Sequence, residues 1–118
     1  MITGLGTDIV EIDRIRAIED KNNRLSKRIL SEDETRYYET LTNDSRKIEY
    51  LAGRYAVKEA YSKALGSGIG ATISFKEIIC LNDEVGKPYL QNDLAALVSI
   101  SHTEHYATAT VIIQTVKE

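Results

Sequence analysis

Two carboxylates stand where the pattern of the sequence predicts apolar side chains. Asp8 lies in the segment MITGLGTDIVEI, whose β-branched residues predict a strand. Successive strand residues alternate between two faces, so Asp8 shares its face with Gly4, Gly6 and Val10. A carboxylate on such a face is costly to bury unless it is paired, hydrogen-bonded or bound to a metal ion.

Glu59 interrupts an apolar stripe in the same way, in the segment GRYAVKEAYSKALG, which has the pattern of an amphipathic helix. At about 100° per residue, Ile48, Tyr55 and Lys63 lie on the same side of the helix as Glu59. One explanation is a Glu59–Lys63 ion pair, which contributes only about 0.2–0.5 kcal/mol. The other is that the strand and helix are neighbours and their carboxylates hold Mg²⁺, which keeps waters and accepts substrate phosphates. Lys63 would then neutralise phosphate charge.

A basic segment follows the first strand. On a continuous helix, four cations would fall within about 80° of one another: Arg14, Lys21, Arg24 and Arg28. Residues 14–30 carry six basic and two acidic side chains, although the chain has a net charge of −3. The segment is either a solvated helix face or a docking stripe for an acidic partner.

Other polar residues carry weaker signals. His102 alternates with Val98 and Ile100, as a structural histidine in a strand would. On the long helix, Lys58 lies about 100° from Glu59 and is expected to be a solvated charge, while Arg54 lies about 140° away. Arg54 could therefore reach the same site only across a subunit interface. The glycines of GSGIG follow a helix, so they do not form a phosphate-binding loop at a helix N-terminus.

The elements that must position these residues are predicted from periodicity and from capping signals. Helical pattern over residues 13–30 is interrupted at Asn22–Asn23, and Ser31 with Glu34 forms a capping box. A helix runs from a cap at Asp44 to about Leu65, with Gly66 as its stop. After the flexible loop GSGIG come a strand TISFKEIICL, a hairpin turn NDEVGKP that leads to a short strand near Tyr89–Leu90, a turn NDLAAL and two strands, VSISHT and YATATVIIQTV. The prediction is an α+β fold with a small, mostly antiparallel sheet and helices on one face, forming one domain over residues 1–118.

Composition excludes several classes of protein. The 118 residues are 42% hydrophobic and 28% charged, as in a globular soluble protein, with no apolar run of membrane-spanning length and no secretory signal. Cys80 is the single cysteine, which excludes an internal disulfide and is expected to be a buried, inert thiol. A reducing cytoplasm is the expected location, and the acidic balance argues against a nucleic-acid partner.

The same residues carry a family resemblance. GTDIVEIDRI and GRYAVKEAYSKALG resemble the two signature segments of the 4'-phosphopantetheinyl transferases, most closely the bacterial holo-[acyl-carrier-protein] synthase type. GSGIG, GKPYL and SISHTEHYATATVII follow in the expected order, so the resemblance spans the whole chain. It implies the fold of that family and transfer of 4'-phosphopantetheine from coenzyme A to a serine of acyl carrier protein, in support of fatty acid biosynthesis. Adenosine 3',5'-bisphosphate is the other product.

The resemblance also implies roles for residues. Asp8 and Glu59 would bind Mg²⁺, Glu59 would accept the serine proton directly or through a water, and Lys63 would stabilise the leaving phosphate. The remaining implied contacts with coenzyme A are Arg46, Arg54, Gly66, Pro88, His102 and Thr103. Arg14, Lys21, Arg24 and Arg28 would dock the acidic carrier protein. A homotrimer with sites at its subunit interfaces is implied by the family alone.

Two other functions remain open from the residues themselves. The chain could be a non-catalytic adaptor that holds an acidic helical partner on its basic stripe. It could also be a Mg²⁺-dependent enzyme that hydrolyses a nucleotide diphosphate without a carrier protein.

Overall fold

The computed structural model describes residues 1–66 and 73–115 of the chain. One strand comes first, then four helices, then four strands, in the predicted order. The strands are β1 (Ile2–Glu11), β2 (Cys80–Asn82), β3 (Pro88–Leu90), β4 (Leu97–His102) and β5 (Tyr106–Gln114). The helices are α1 (Ile12–Glu19), α2 (Arg24–Ile29), α3 (Glu32–Thr40) and α4 (Asp44–Leu65), followed by a short 3₁₀ helix (Phe75–Glu77).

Three strands form an antiparallel sheet in the order β1-β5-β4, and β2 and β3 form a separate hairpin. The register sets Gly6 opposite Val111 and Asp8 opposite Ala109. The inner face of this sheet packs on α4. Its outer face is exposed, and Leu5 and Ile9 on that face each have 63% of their surface exposed. The predicted α+β class, with helices on one face of an antiparallel sheet, is confirmed.

Two glycines of β1 allow the backbone of the strand to touch that of α4. A Cβ atom at Gly6 would lie 1.9 Å from the carbonyl oxygen of Ala60, and one at Gly4 would lie 2.2 Å from that of Ala64. These obstacles are backbone atoms, so no side-chain rotation could relieve the clash. The close approach brings Asp8, two residues after Gly6, beside the turn of α4 that carries Glu59.

The predicted interruption at Asn22–Asn23 is confirmed, and it separates two short helices. Asn22 and Asn23 both adopt positive φ, at 61° and 56°. The buried carboxylate of Glu19 holds the break together, because it accepts hydrogen bonds from the Ser26 amide and the Tyr38 hydroxyl, both at 2.8 Å. The four basic residues therefore do not share one continuous helix.

Capping interactions between residues close in sequence set where the helices begin and end. The predicted capping box is present: the Ser31 hydroxyl accepts from the Glu34 amide, and the Glu34 carboxylate accepts from the Ser31 amide. The N-cap of α4 is Asn43 rather than Asp44, because it is the Asn43 side chain that accepts from the Arg46 amide, at 3.0 Å. Gly66 ends α4 in the left-handed conformation, as predicted, with φ of 84°.

The predicted strand TISFKEIICL is wrong over most of its length. Ser74 and Glu77 form a capping box, which starts the 3₁₀ helix, and only Cys80 and the two residues after it pair in a sheet. The carbonyl groups of Phe75 and Ile78 accept from the Lys58 side chain. The loop GSGIG falls at residues 66–70, and residues 67–70 lie outside the described part of the chain.

The core consists of two clusters around α4. One lies under the sheet and the β2–β3 hairpin and contains Cys80, whose thiol is fully buried as predicted, with its pKa raised by burial. The other lies under α1, α2 and α3. Across residues 1–66 and 73–115, no helix has the length and apolarity needed to cross a membrane.

Candidate active site

A cleft of about 630 Å³ opens between β1, α1, α2 and α4. Polar side chains from each element reach it. They are Asp8 from β1, Arg14 from α1, Arg24 and Arg28 from α2, and Tyr55, Glu59 and Lys63 from α4. Its apolar lining includes Ile15, Ile18, Leu25 and Phe75. The two carboxylates that the sequence singled out therefore meet in one cleft.

Asp8 is nearly buried, with 13% of its side chain exposed. Its Oδ1 atom accepts a hydrogen bond of 2.9 Å from Lys63 Nζ, which also donates to the Thr7 carbonyl at 3.1 Å. Its Oδ2 atom is buried and has no hydrogen-bond partner among the described residues. Lys63 thus forms its ion pair across the cleft with Asp8, and not with Glu59 along the helix.

Glu59 is half-buried beside this pair. Burial raises the pKa of Glu59, and the nearby Asp8 carboxylate raises it further, while Lys63 and the Tyr55 hydroxyl oppose the shift. The pKa of Tyr55 is raised by burial and then by the Glu59 and Asp8 charges. The Asp8 carboxylate therefore lies close enough to Glu59 to disfavour the ionised form of Glu59.

The donor set fits a small, hard cation. A buried carboxylate oxygen without a partner is costly, and a bound cation would satisfy it. Mg²⁺ is bound through one or two carboxylates, with waters and substrate phosphates as its other ligands. Within the described residues no cluster of three or more potential metal ligands occurs. The Asp8–Glu59 pair therefore fits a magnesium site that shares its ion with a substrate, better than a closed structural site.

One wall of the cleft is basic. Arg14 on α1 and Arg24 and Arg28 on α2 line it, with the Arg28 guanidinium 6.0 Å from the centre of the Phe75 ring. Lys21 lies in the turn between the helices, apart from the described residues that line the cleft. Three of the four predicted docking residues thus converge, although the continuous helix that motivated them does not exist.

Four of the predicted coenzyme A contacts lie in a second cleft, of about 430 Å³, which shares no described lining residue with the first. They are Arg46, Arg54, Pro88 and His102. Arg54 points away from Glu59, as its helical position predicts. Its guanidinium lies 4.3 Å from the centre of the Tyr50 ring, and its Nε donates to the Cys80 carbonyl at 3.2 Å. His102 Nδ1 lies 3.6 Å from the Glu49 carboxylate.

The other two predicted contacts have local structural roles. The Thr103 hydroxyl accepts from the amides of His105 and Tyr106 at 3.3 and 3.1 Å, so it organises the β4–β5 turn. The amide of Gly66 donates to the Lys63 carbonyl at the end of α4. Neither arrangement tests a contact with coenzyme A.

The prediction for Lys58 is wrong. This lysine is fully buried, and its Nζ bonds to the Glu34 carboxylate at 2.6 Å and to three backbone carbonyls. Burial lowers the pKa of Lys58, and Glu34 opposes that shift. The sequence contained a signal of this burial, because the apolar residues Leu51 and Tyr61 lie on the same side of the helix as Lys58. Both of them are buried in the structure.

A comparison with known protein families matches the part of the chain that forms the cleft. A family model described as the 4'-phosphopantetheinyl transferase superfamily matches residues 4–115. This range includes both carboxylates, the basic wall and the second cleft. The chain therefore belongs to this superfamily of enzymes.

The relatives indicate the branch. The holo-[acyl-carrier-protein] synthase of Staphylococcus aureus (strain Newman) is 50% identical over 115 residues, which is 97% of either chain. The crystal structure of a holo-(acyl-carrier-protein) synthase from Bacillus anthracis, in complex with coenzyme A (3',5'-ADP), superposes with a TM-score of 0.86 at 45% identity, covering 95% of this chain and 96% of that one. The Helicobacter pylori synthase in complex with coenzyme A gives 0.79 at 32% identity, covering 93% and 99%. Within the superfamily, this chain is of the holo-[acyl-carrier-protein] synthase type.

Proposed function

We propose that this enzyme transfers the 4'-phosphopantetheine group of coenzyme A to a serine hydroxyl of apo acyl carrier protein. The observation that carries the proposal is the convergence of Asp8, Glu59 and Lys63 in a cleft with an arginine wall. Relatives named for this activity, two of them bound to coenzyme A, support it.

The transfer is a phosphoryl displacement. The serine oxygen attacks the phosphorus next to pantetheine, a new O–P bond forms, and the bond from that phosphorus to the bridging oxygen breaks. The serine proton passes to Glu59, whose raised pKa makes it a better base than an ordinary carboxylate. The leaving oxygen stays on adenosine 3',5'-bisphosphate, where the ammonium group of Lys63 stabilises its charge.

Asp8 and Glu59 would hold Mg²⁺, which supplies electrostatic stabilisation of the charge on the diphosphate during transfer. Asp8 offers its unpartnered Oδ2 for this purpose. Lys63 orients Asp8 through Oδ1 and lies close enough to the metal site to meet the phosphates. Magnesium dependence is part of the proposal.

The basic wall would dock the carrier protein. Arg14, Arg24 and Arg28 present cations beside the reacting groups, and an acidic helix would be complementary to them. Such complementarity mainly sets the association rate and the specificity of the encounter. Lys21 would contribute only at the edge of this surface.

The nucleotide end of coenzyme A would occupy the second cleft of a neighbouring copy. Arg46, Arg54, Pro88 and His102 lie away from Glu59 in their own chain, with Thr103 next to them in sequence, so they could complete the site only in an oligomer. Gly66, at the end of α4, would adjoin the pantetheine arm. The family resemblance suggests a homotrimer of single-domain chains, residues 1–118. A cytoplasmic role in fatty acid biosynthesis completes the proposal.

One experiment tests the function. The protein is mixed with coenzyme A, MgCl₂ and apo acyl carrier protein, and the carrier is analysed by intact mass. We expect the mass of one phosphopantetheine arm to be added, and addition to fall by about 10³-fold or more in Glu59→Ala, because Glu59 serves as both base and metal ligand. EDTA should abolish it, and Glu39→Ala, at an exposed position of α3, should not change it.

The alternatives make other predictions in the same assay. Carrier binding that persists in Glu59→Gln without any mass gain would favour the adaptor. Release of product from coenzyme A without a carrier would favour a hydrolase. Mass gain that is insensitive to both Glu59→Ala and EDTA would contradict the proposed mechanism.

A further inference from the structure

Behind the basic wall lies a buried ion pair that the proposed chemistry does not use. Lys58 and Glu34 are both fully buried, with Nζ and Oε1 2.6 Å apart. The Glu34 carboxylate also accepts from the amides of Ser31, at 2.8 Å, and Cys80, at 3.0 Å. Replacement of such a pair by apolar residues is often neutral or stabilising, so stability alone does not explain it.

The ammonium group of Lys58 joins segments that are distant in sequence. It donates to the carbonyl oxygens of Ile29 at 2.8 Å, Phe75 at 2.9 Å and Ile78 at 2.6 Å. Ile29 is the last residue of α2, where a carbonyl has no partner within the helix. Lys58 therefore connects α2, the 3₁₀ segment and, through Glu34, α3 to a single position on α4.

The connected segments form one wall of the cleft. Arg24, Arg28 and Phe75 line it, and the residue that follows Lys58 is Glu59. With six residues, α2 is far too short to be stable by itself. Its placement must come from tertiary contacts, and Lys58 supplies the polar contact between its end and α4.

We propose that Lys58 is a positioning residue, which holds α2 and Phe75 at a fixed distance from the Asp8–Glu59 pair so that a docked carrier serine meets the reacting groups. This inference rests on the proposed function for its consequence in catalysis. Its structural part, the anchoring of α2 and the 3₁₀ segment, stands on the Lys58 hydrogen bonds alone.

The test compares Lys58→Met with the double variant Lys58→Met/Glu34→Gln. Methionine keeps the length of the side chain and removes its donors, and glutamine removes the carboxylate charge that would otherwise be left unpaired. In both variants we expect the KM for apo acyl carrier protein to rise by about tenfold or more, since small misplacements of docked groups are costly. The dissociation constant of coenzyme A should be nearly unchanged. The double variant should regain thermal stability without regaining KM.

A matched core variant separates position from stability. Val111→Ala removes buried volume under the sheet, away from the cleft. At a temperature where all variants are folded by circular dichroism, Val111→Ala should keep the wild-type KM. An equal rise of KM in Val111→Ala, no rise in Lys58→Met, or recovery of KM together with stability in the double variant would overturn the positioning role.

Hydrogen exchange decides the structural part without any assay of activity. Amides of residues 24–30 and 73–78 should exchange faster in both Lys58 variants, while those of β5 should not. If the wild-type protein transferred nothing, the proposed function would fail, and this measurement would still judge the anchoring. Unchanged exchange in these two segments would overturn it.

Discussion

The surroundings of Glu59 disfavour the ionised form of its carboxylate. Burial and the Asp8 carboxylate both raise its pKa, and the buried Oδ2 of Asp8 has no partner among the described residues. A pair of carboxylates in this condition stores electrostatic repulsion that a bound cation would relieve. The placement of Glu59 beside Asp8 thus lowers the stability of the metal-free fold and favours cation binding, a common trade-off between stability and function.

This repulsion gives a prediction about pH. The pKa of Glu59 is higher in the folded chain than in the unfolded one, so above both values its ionised form destabilises the fold, and below both values the penalty vanishes. We therefore expect Glu59→Gln to raise the melting temperature in EDTA at pH 7 by a few degrees. The difference should shrink towards zero near pH 4, close to the ordinary pKa of a glutamate.

The measurement is thermal unfolding followed by circular dichroism across that range. Glu39→Gln, at an exposed position of α3, serves as the control and should show no such trend. A Glu59→Gln variant that melts below the wild-type protein at pH 7 would contradict the stated electrostatics. Added MgCl₂ should raise the melting temperature of the wild-type protein and have little effect on Glu59→Gln.

At the level of elements, the site depends on the contact between β1 and α4. The glycines at positions 4 and 6 let the strand backbone reach that of the helix, which no other residue type would permit. The sequence showed the alternation that sets Gly4, Gly6 and Asp8 on one face. It could not show that α4 would cover that face, because the pairing of a strand with a helix joins residues more than fifty positions apart.

We expect Gly6→Ala to lower the free energy of unfolding by about 1–3 kcal/mol or more, as overpacking does, and to reduce phosphopantetheine transfer. The added methyl group would meet the backbone of α4 at Ala60 and push Asp8 away from Glu59. Urea unfolding and the mass assay measure the two effects.

Gly53→Ala is the matched control for stability. Its added methyl would lie 3.3 Å from Cγ2 of Ile100, an adjustable side chain, and alanine is favoured over glycine inside a helix by about 0.5–1 kcal/mol. This variant should be at least as stable as the wild-type protein. A Gly6→Ala protein of wild-type stability would contradict this prediction, because the strand and helix would then have moved apart to accept the added methyl group at little cost.

On the scale of the whole molecule, the outer face of the sheet carries an exposed row of apolar side chains. Leu5, Ile112 and Leu97 stand opposite one another across β1, β5 and β4, and 63% of Leu5 is exposed. The carboxylate cleft and the second cleft lie apart within one chain. An assembly through this face would explain both features.

We therefore expect Leu5→Asp to convert the proposed trimer into monomers and to abolish transfer, because a charge cannot be buried there without a partner. Analytical ultracentrifugation measures the mass, and circular dichroism shows whether the fold is kept. Val85→Asp places the same charge on a residue that is 87% exposed near the β2–β3 turn, and it should change neither mass nor activity. A wild-type monomer, or an active Leu5→Asp trimer, would contradict the assembly.

The sequence by itself determined what depends on local periodicity and near neighbours. The alternation of β1, the break at Asn22–Asn23, the capping box at Ser31 and the stop at Gly66 were all predicted, and two carboxylates out of pattern marked the cleft. The family followed from the segments around the same two residues. Each of these signals involves residues that are only a few positions apart in the sequence.

Only the tertiary structure decided which partners the charged side chains find. Lys63 pairs with Asp8 across the cleft, and Lys58 is buried among oxygens from Ile29, Glu34, Phe75 and Ile78. A lysine on a helix is ordinarily solvated, and its burial becomes affordable only when distant segments bring enough acceptors to it. Where a strand was predicted, a local capping box starts a 3₁₀ helix, and the bonds from Lys58 to the carbonyls of Phe75 and Ile78 attach this segment to α4.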